Sequence, residues 1–259
     1  MAGVGIIRSF FQYLVISIGL LFFALPIYAS TLFAFRDRDG NFTADPIRAA
    51  GENEAIMESL SLTMKIAAGT VLLTLAILIP TVAYIHLVIP QSRGWIEFLT
   101  LTPLVIPPIV QGVGFLYSMP TSFKATPYAL IFAYTILALP FSYRALDSAF
   151  TAIDLRTLYD ASVSLGGNFF TIMKRVLIPN VATGIFGAVF LTIALVLGEF
   201  AYASLLLWDT FPTVLAVAGM SGATTAVALS VLSLLGVWLV LTFFTIFNQK
   251  KTSTMVGVK

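Results

Sequence analysis

The chain has 259 residues, 59% of them hydrophobic and only 10% charged, with a mean hydropathy of +0.98 and a net charge of +2. Soluble domains carry about 25% charged residues, so the composition is that of an integral membrane protein. It contains no cluster of lysine and arginine dense enough to hold nucleic acid. Cysteine is absent and His86 is the one histidine, which excludes disulfides, thiolate metal sites and cysteine nucleophiles.

Arg8 precedes an uncharged run to Phe35, and roughly 20 apolar residues suffice to cross a bilayer. A signal peptide has a shorter apolar core and small residues at its cleavage site. Ile27-Tyr28-Ala29 offers a poor site, so residues 10–35 are predicted to be an uncleaved first span. The chain then turns polar and acidic, with Asp37, Asp39, Asp45, Glu52, Glu54 and Glu58 against Arg36, Arg38 and Arg48. A second span is predicted over 59–87, with Lys65 near its entry and His86 at its exit, where an interfacial residue is expected rather than a metal ligand. After the turn Pro90 to Gly94 comes Trp95, whose ring suits the membrane interface.

The third span, 98–119, contains Pro103, Pro107 and Pro108 followed by Gly112 and Gly114. Its backbone bonding must be broken more than once, so it is expected to kink or unwind and to avoid lipid. A bent packing helix and a pore-lining one both meet that demand. Lys124 and Pro127 mark the next turn, and 128–143 is the fourth span. A long polar loop, 144–180, precedes the fifth span at 181–206, whose outer part holds Leu197-Gly198-Glu199-Phe200. Pro212, Gly219 and Gly222 argue against one straight helix over the stretch that follows, and the sixth span is predicted at 224–247.

Six spans put both termini on one side. That side carries Arg8, Arg93, Arg144, Arg156, Lys174, Arg175, Lys250, Lys251 and Lys259, nine cations against Arg36, Arg38, Arg48, Lys65 and Lys124, five, on the other. The positive-inside rule therefore predicts cytoplasmic termini and a cytoplasmic 144–180 loop.

No Ser/His pair, paired carboxylates or metal cluster is predicted within the spans, and no Gly-x-x-x-x-Gly-Lys-Ser/Thr loop is present. ATP-driven work would have to come from a partner. Within the loop, Asp154 to Leu165 reads as a short amphipathic helix with Leu155, Leu158, Ala161, Ser162 and Leu165 at spacings of three and four. Gly166-Gly167 ends it, and a second amphipathic run from Phe169 to Val176 leads to Pro179.

This stretch resembles the signature loop of the permease subunits of bacterial ABC importers: Glu-Ala-Ala, three residues, Gly, nine residues, then Ile-x-Leu-Pro. Asp160, Ala161 and Ser162 stand for Glu-Ala-Ala, Gly166 follows after three residues, and Val176, Ile178 and Pro179 close the pattern after nine more. Ser59 to Thr63, Pro103 to Pro108 and Leu197 to Phe200 are similar to the spermidine/putrescine branch. The resemblance implies an all-α, six-helix MetI-like permease fold in one transmembrane domain over 1–259, in a bacterial inner membrane. It implies a second permease subunit, commonly a different chain, two ATPase subunits holding the ATP and magnesium, and an extracytoplasmic solute-binding protein. The loop helix is then a coupling helix whose contacts with the ATPase involve Asp160, Ala161, Ser162, Leu165, Gly166, Gly167 and Pro179.

For the solute, Glu199 and Asp209 at the outer mouth suit a cation such as a polyamine, with Gln111, Tyr117, Tyr202 and Trp208 flanking them. Aromatic residues near span ends also serve as interface anchors. The same importer class carrying another solute, ferric ion, aminoethylphosphonate or a sugar, is the alternative; a six-span assembly protein would have no need of the glycine-hinged loop, and an ion-coupled secondary transporter is the rival class. It ordinarily shows inverted repeats and ionisable groups near the midplane, neither of which is visible in this sequence.

Overall fold

The computed structural model describes the backbone of residues 2–36 and 41–256, and the side chains of 11–36, 41–220, 222–239 and 242. Arg8, Asp37, Arg38, Asp39, Lys250, Lys251 and Lys259 of the charge tally lie outside the described side chains. The described residues are all-helical apart from one isolated bridge, Arg36 with Phe42. They fall into two compact units, residues 1–57 with 215–242, and residues 58–214 with 243–259.

In the first unit, α1 (Ala2–Phe35) carries the apolar run Phe11–Phe35, long enough to cross a bilayer. Its flank is exposed on nearly every side, as a helix facing hydrocarbon must be. α2 (Asp45–Glu52) begins with Pro46 in its first turn, where the missing N–H costs nothing, and Thr43 Oγ1 accepts from the Asp45 N–H at 3.1 Å. The predicted sixth span falls in α14 (Ala223–Val256), which follows α13 (Phe211–Ser221) after the break at Gly222. Along α14, Ser230, Ser233 and Thr242 return their hydroxyl protons to the carbonyls of Ala226, Leu229 and Trp238, which satisfies these three within the helix.

The second unit is built lengthwise on α7 (Ala129–Thr151). α3 (Glu54–Val88) contributes its residues from Glu58 onward. Ile66 and Ala67 of α3 share a core with Ala129, Leu130, Ala133 and Tyr134, while Leu78, Val82 and Ile85 share another with Tyr143, Leu146 and Phe150. The two helices therefore run in the same direction. Their connection must carry the chain back along the whole length of α7.

That return is the proline-rich segment. A 3-10 turn at Pro90–Ser92 opens into α4 (Arg93–Val105), which packs on α7, and α5 (Pro108–Ser118) follows at 95° to it. Arg93 sits beside Asp147 near the end of α7, whereas Phe115 lies in the core with Ala129 at its start. The predicted third span is thus two helices joined by an elbow at Ile106-Pro107, not one bent rod. Pro107 has no N–H, and the residue before a proline is pushed to extended backbone, as Ile106 is with ψ 124°. Gln111 supplies the lost donors: its Nε2 reaches the carbonyls of Pro103 at 2.6 Å and Ile106 at 2.7 Å.

α6 (Thr121–Lys124) makes the turn into α7, helped by the Lys124 ammonium on the Leu116 carbonyl. α7 runs eight residues beyond the predicted end at 143, because the charged Arg144 and Asp147 find partners on α4 rather than in water. α11 (Ala182–Gly198) runs against α7, with Val181 and Ala188 at one core and Val196 at the other. The fifth predicted span, 181–206, stops being a single helix at Glu199-Phe200 and resumes as α12 (Ala201–Leu205). α7 and α11 touch backbone to backbone: a Cβ on Gly184 would lie 2.4 Å from Ala149 Cβ and 2.8 Å from the Ala145 carbonyl. Small residues at such spacing are how helices approach closely in lipid. Ser142 and Thr192 bridge the pair at 3.0 Å.

Candidate functional site

The polar loop after α7 is short and tightly specified. Ala152 to Asp154 separate α7 from α8 (Leu155–Ser164). Asp154 caps that helix: its carboxylate accepts from the Thr157 N–H at 3.3 Å and from the Thr157 hydroxyl at 2.8 Å. At the other end the Gly167 N–H reaches the Ser162 carbonyl at 2.9 Å and the Gly166 N–H reaches Val163 at 2.8 Å. This is a Schellman ending, and Gly166, at φ +80°, occupies its left-handed position. Gly167 is needed for space, since a Cβ there would sit 2.8 Å from the Ser162 carbonyl.

Only Leu155 of α8 is buried, in the core with Ile85, Leu146 and Phe150. Leu158 and Ser162 are half-buried; Asp160 and Ala161 are exposed, and Leu165 is 90% exposed. The apolar stripe predicted from the spacing is therefore split. One part anchors the helix and the other lies open, as does Phe170 in the returning segment, 82% exposed.

The return strand of the loop is less regular than its spacing suggests. Asn168 caps α9 (Phe169–Ile172) through the Thr171 N–H at 2.9 Å, a π-helical turn fills Met173–Leu177, and α10 (Ile178–Asn180) holds Pro179 in its first turn. The chain then bends by 77° into α11. Ile172, Met173 and Leu177 are buried in the same core as Leu155, so the whole loop is fixed to the ends of α3 and α7.

Beside that core lies a cluster absent from the sequence-based candidates. Asp147, 7% exposed, receives Arg93 in a two-pronged bond, Nε to Oδ1 at 2.8 Å and Nη2 to Oδ2 at 2.5 Å. His86 Nε2 lies 2.8 Å from the same Oδ1. Arg93 also donates to the Thr151 hydroxyl at 2.9 Å, and that hydroxyl donates to the Asp147 carbonyl at 2.7 Å. His86 is thus held in an ion-paired cluster rather than left facing the interface. The signal was there to be used: the charge tally already put Arg93 and the exit of His86 on the same side as the chain around Arg144.

At the far end, three of the predicted solute-path residues meet. Tyr202 donates its hydroxyl to Gln111 Oε1 at 3.3 Å, and its N–H donates to Glu199 Oε1 at 3.0 Å. Glu199 therefore caps α12, and Gln111 braces the elbow. Tyr202 is buried against Phe115 and Tyr134. Trp208 packs against the same core as Tyr202, while Tyr117 is 85% exposed and Asp209 is exposed.

No family model matches the chain. A probable molybdenum ABC transporter permease protein of Haloferax volcanii is 28% identical over 194 residues, 70% of this chain and 67% of that protein. The chain is thus similar to an ABC transporter permease, and the likeness gives no support to the polyamine branch.

Proposed function

We propose that this chain is the permease subunit of an ABC importer, crossing the inner membrane six times with cytoplasmic termini. With a second permease subunit it forms the path for a small solute, and two separate ATPase subunits drive it. The observation that carries this is α8: a helix capped at Asp154, closed at Gly166, seated by buried Leu155 with Leu158 and Tyr159 half-buried, and exposed at Asp160, Ala161 and Leu165. Such a helix is built to be gripped by another protein. Three helices, α1, α3 and α7, are long and apolar enough to cross a membrane, and the bent pairs α4–α5 and α9–α11 raise that to five among the described residues; α14 is the sixth crossing in this reading.

For the solute, the Glu199 carboxylate accepts from α12 and Asp209 is exposed, and the likeness lends no support to a polyamine. A molybdenum-containing anion, the cargo in the relative's name, is the leading reading. The polyamine reading keeps one observation in its favour, the meeting of Glu199, Tyr202 and Gln111. Co-expression with a partner ATP-binding-cassette ATPase should yield a stable complex, and uptake of labelled molybdate and spermidine into vesicles should separate the two solutes. Purification as an active monomer that moves solute on an ion gradient would overturn the permease reading.

A further inference from the structure

α8 and the α4–α5 elbow are far apart along the chain, and only certain elements can join them. α8 follows α7 after Ala152 to Asp154, a tether too short to let it swing freely, and Leu155 seats it against Leu146 and Phe150. α7 is fastened to α4 at its last two turns by Arg93 on Asp147 and Thr151, and by Arg144 to Glu97 at 3.6 Å. The Arg144 pair is open to solvent, and exposed ion pairs contribute little. Asp147 is buried, and it holds two helices at once, α3 through His86 and α4 through Arg93. The apolar core beside it can slide at small cost; a two-pronged bond to a buried carboxylate fixes direction as well as distance.

We propose that Asp147 is the positioning residue through which movement of α8 is delivered to the α4–α5 elbow. It does so by locking the end of α3, the start of α4 and the end of α7 into one body. The elbow then opens or closes at Ile106-Pro107, where Gln111 rather than the helical ladder spans the gap. This rests on the permease reading, since the force on α8 comes from an ATPase.

The absence of cysteine makes the test direct. Spin labels on Trp95→Cys and Tyr117→Cys, both exposed and at opposite ends of the α4–α5 pair, report the elbow angle in the complete complex with and without ATP. With Asp147 intact, ATP should shift the distance between the labels. With Asp147→Asn the shift should vanish while the ATPase still co-purifies and still hydrolyses ATP, and labelled molybdate uptake per ATP, if molybdate is carried, should fall at least about five-fold, the scale of a modest coupling energy. Arg93→Lys, which keeps a cation at the carboxylate, should retain a reduced shift. A full shift in Asp147→Asn would overturn the proposal, as would loss of the ATPase from that variant, which marks a role in folding only. No shift even with Asp147 intact would also overturn the proposal, whereas failure of the ATPase to co-purify with the parent chain would overturn the permease reading.

Discussion

Single residues in this chain are placed by backbone needs that only partly show in the sequence. Gly166 was legible as a helix stop, and the structure explains why: φ +80° is a region L residues enter at a cost of about 1–2 kcal/mol, more when β-branched. Gly166→Val should lower the melting temperature modestly and uncouple ATP hydrolysis from uptake; unchanged solute-stimulated hydrolysis and uptake would contradict this. Gln111, a candidate solute contact by sequence, donates to two carbonyls freed by the elbow. Gln111→Leu should cost about 2–4 kcal/mol, since two acceptors in an apolar setting lose their donor. Thermal unfolding in detergent measures it. Leu207 holds φ 58° after α12, where the N–H of Trp208 returns to the Ala203 carbonyl at 2.9 Å. Leu207→Gly should raise the melting temperature slightly, because relief of the strain slightly exceeds the entropy cost of glycine.

At the level of elements, hydropathy located the helices and missed their breaks and partners. The proline cluster announced a broken third segment, yet a right angle could not be read from it. The angle follows from where Arg93 and Phe115 are held, one at each end of α7. α7 outran its predicted end because Arg144 and Asp147 read as loop residues, and a carboxylate's burial depends on partners 50 or more positions away. The α7–α11 contact was likewise invisible, since Gly184 is one glycine among 18. Gly184→Val should push the two helices apart and cost about 3 kcal/mol or more, as overpacking against backbone does. A melting temperature equal to the parent's would show that the helices can yield there.

For the whole molecule, composition sufficed to place the chain in a membrane, and the charge tally set an orientation that remains to be measured. Single cysteines at Leu165 and Tyr117, both exposed, should react with an impermeant thiol reagent from opposite faces of the membrane, Leu165→Cys from the cytoplasm and Tyr117→Cys from outside. Labelling of both from one face would reverse the path assigned to α4–α5. What no pattern of hydropathy conveys is that the two cores of the second unit sit at opposite ends of α7 and are bridged by polar pairs, Ser142 with Thr192 among them.

The π-helical turn at Met173–Leu177 sets the phase between the loop and α11. A π turn accommodates one residue more than an α turn, and each residue of an α-helix advances it by about 100°. Deleting one residue there would let the turn relax to α-helix with everything before it at nearly the same azimuth relative to α11, because the π turn spends its extra residue on the same sweep. The nine residues between Gly166 and Val176 therefore have one place that can absorb a change of length. A chain one residue shorter within the regular helix of that interval can keep every helix it has and still present α8 in the wrong direction.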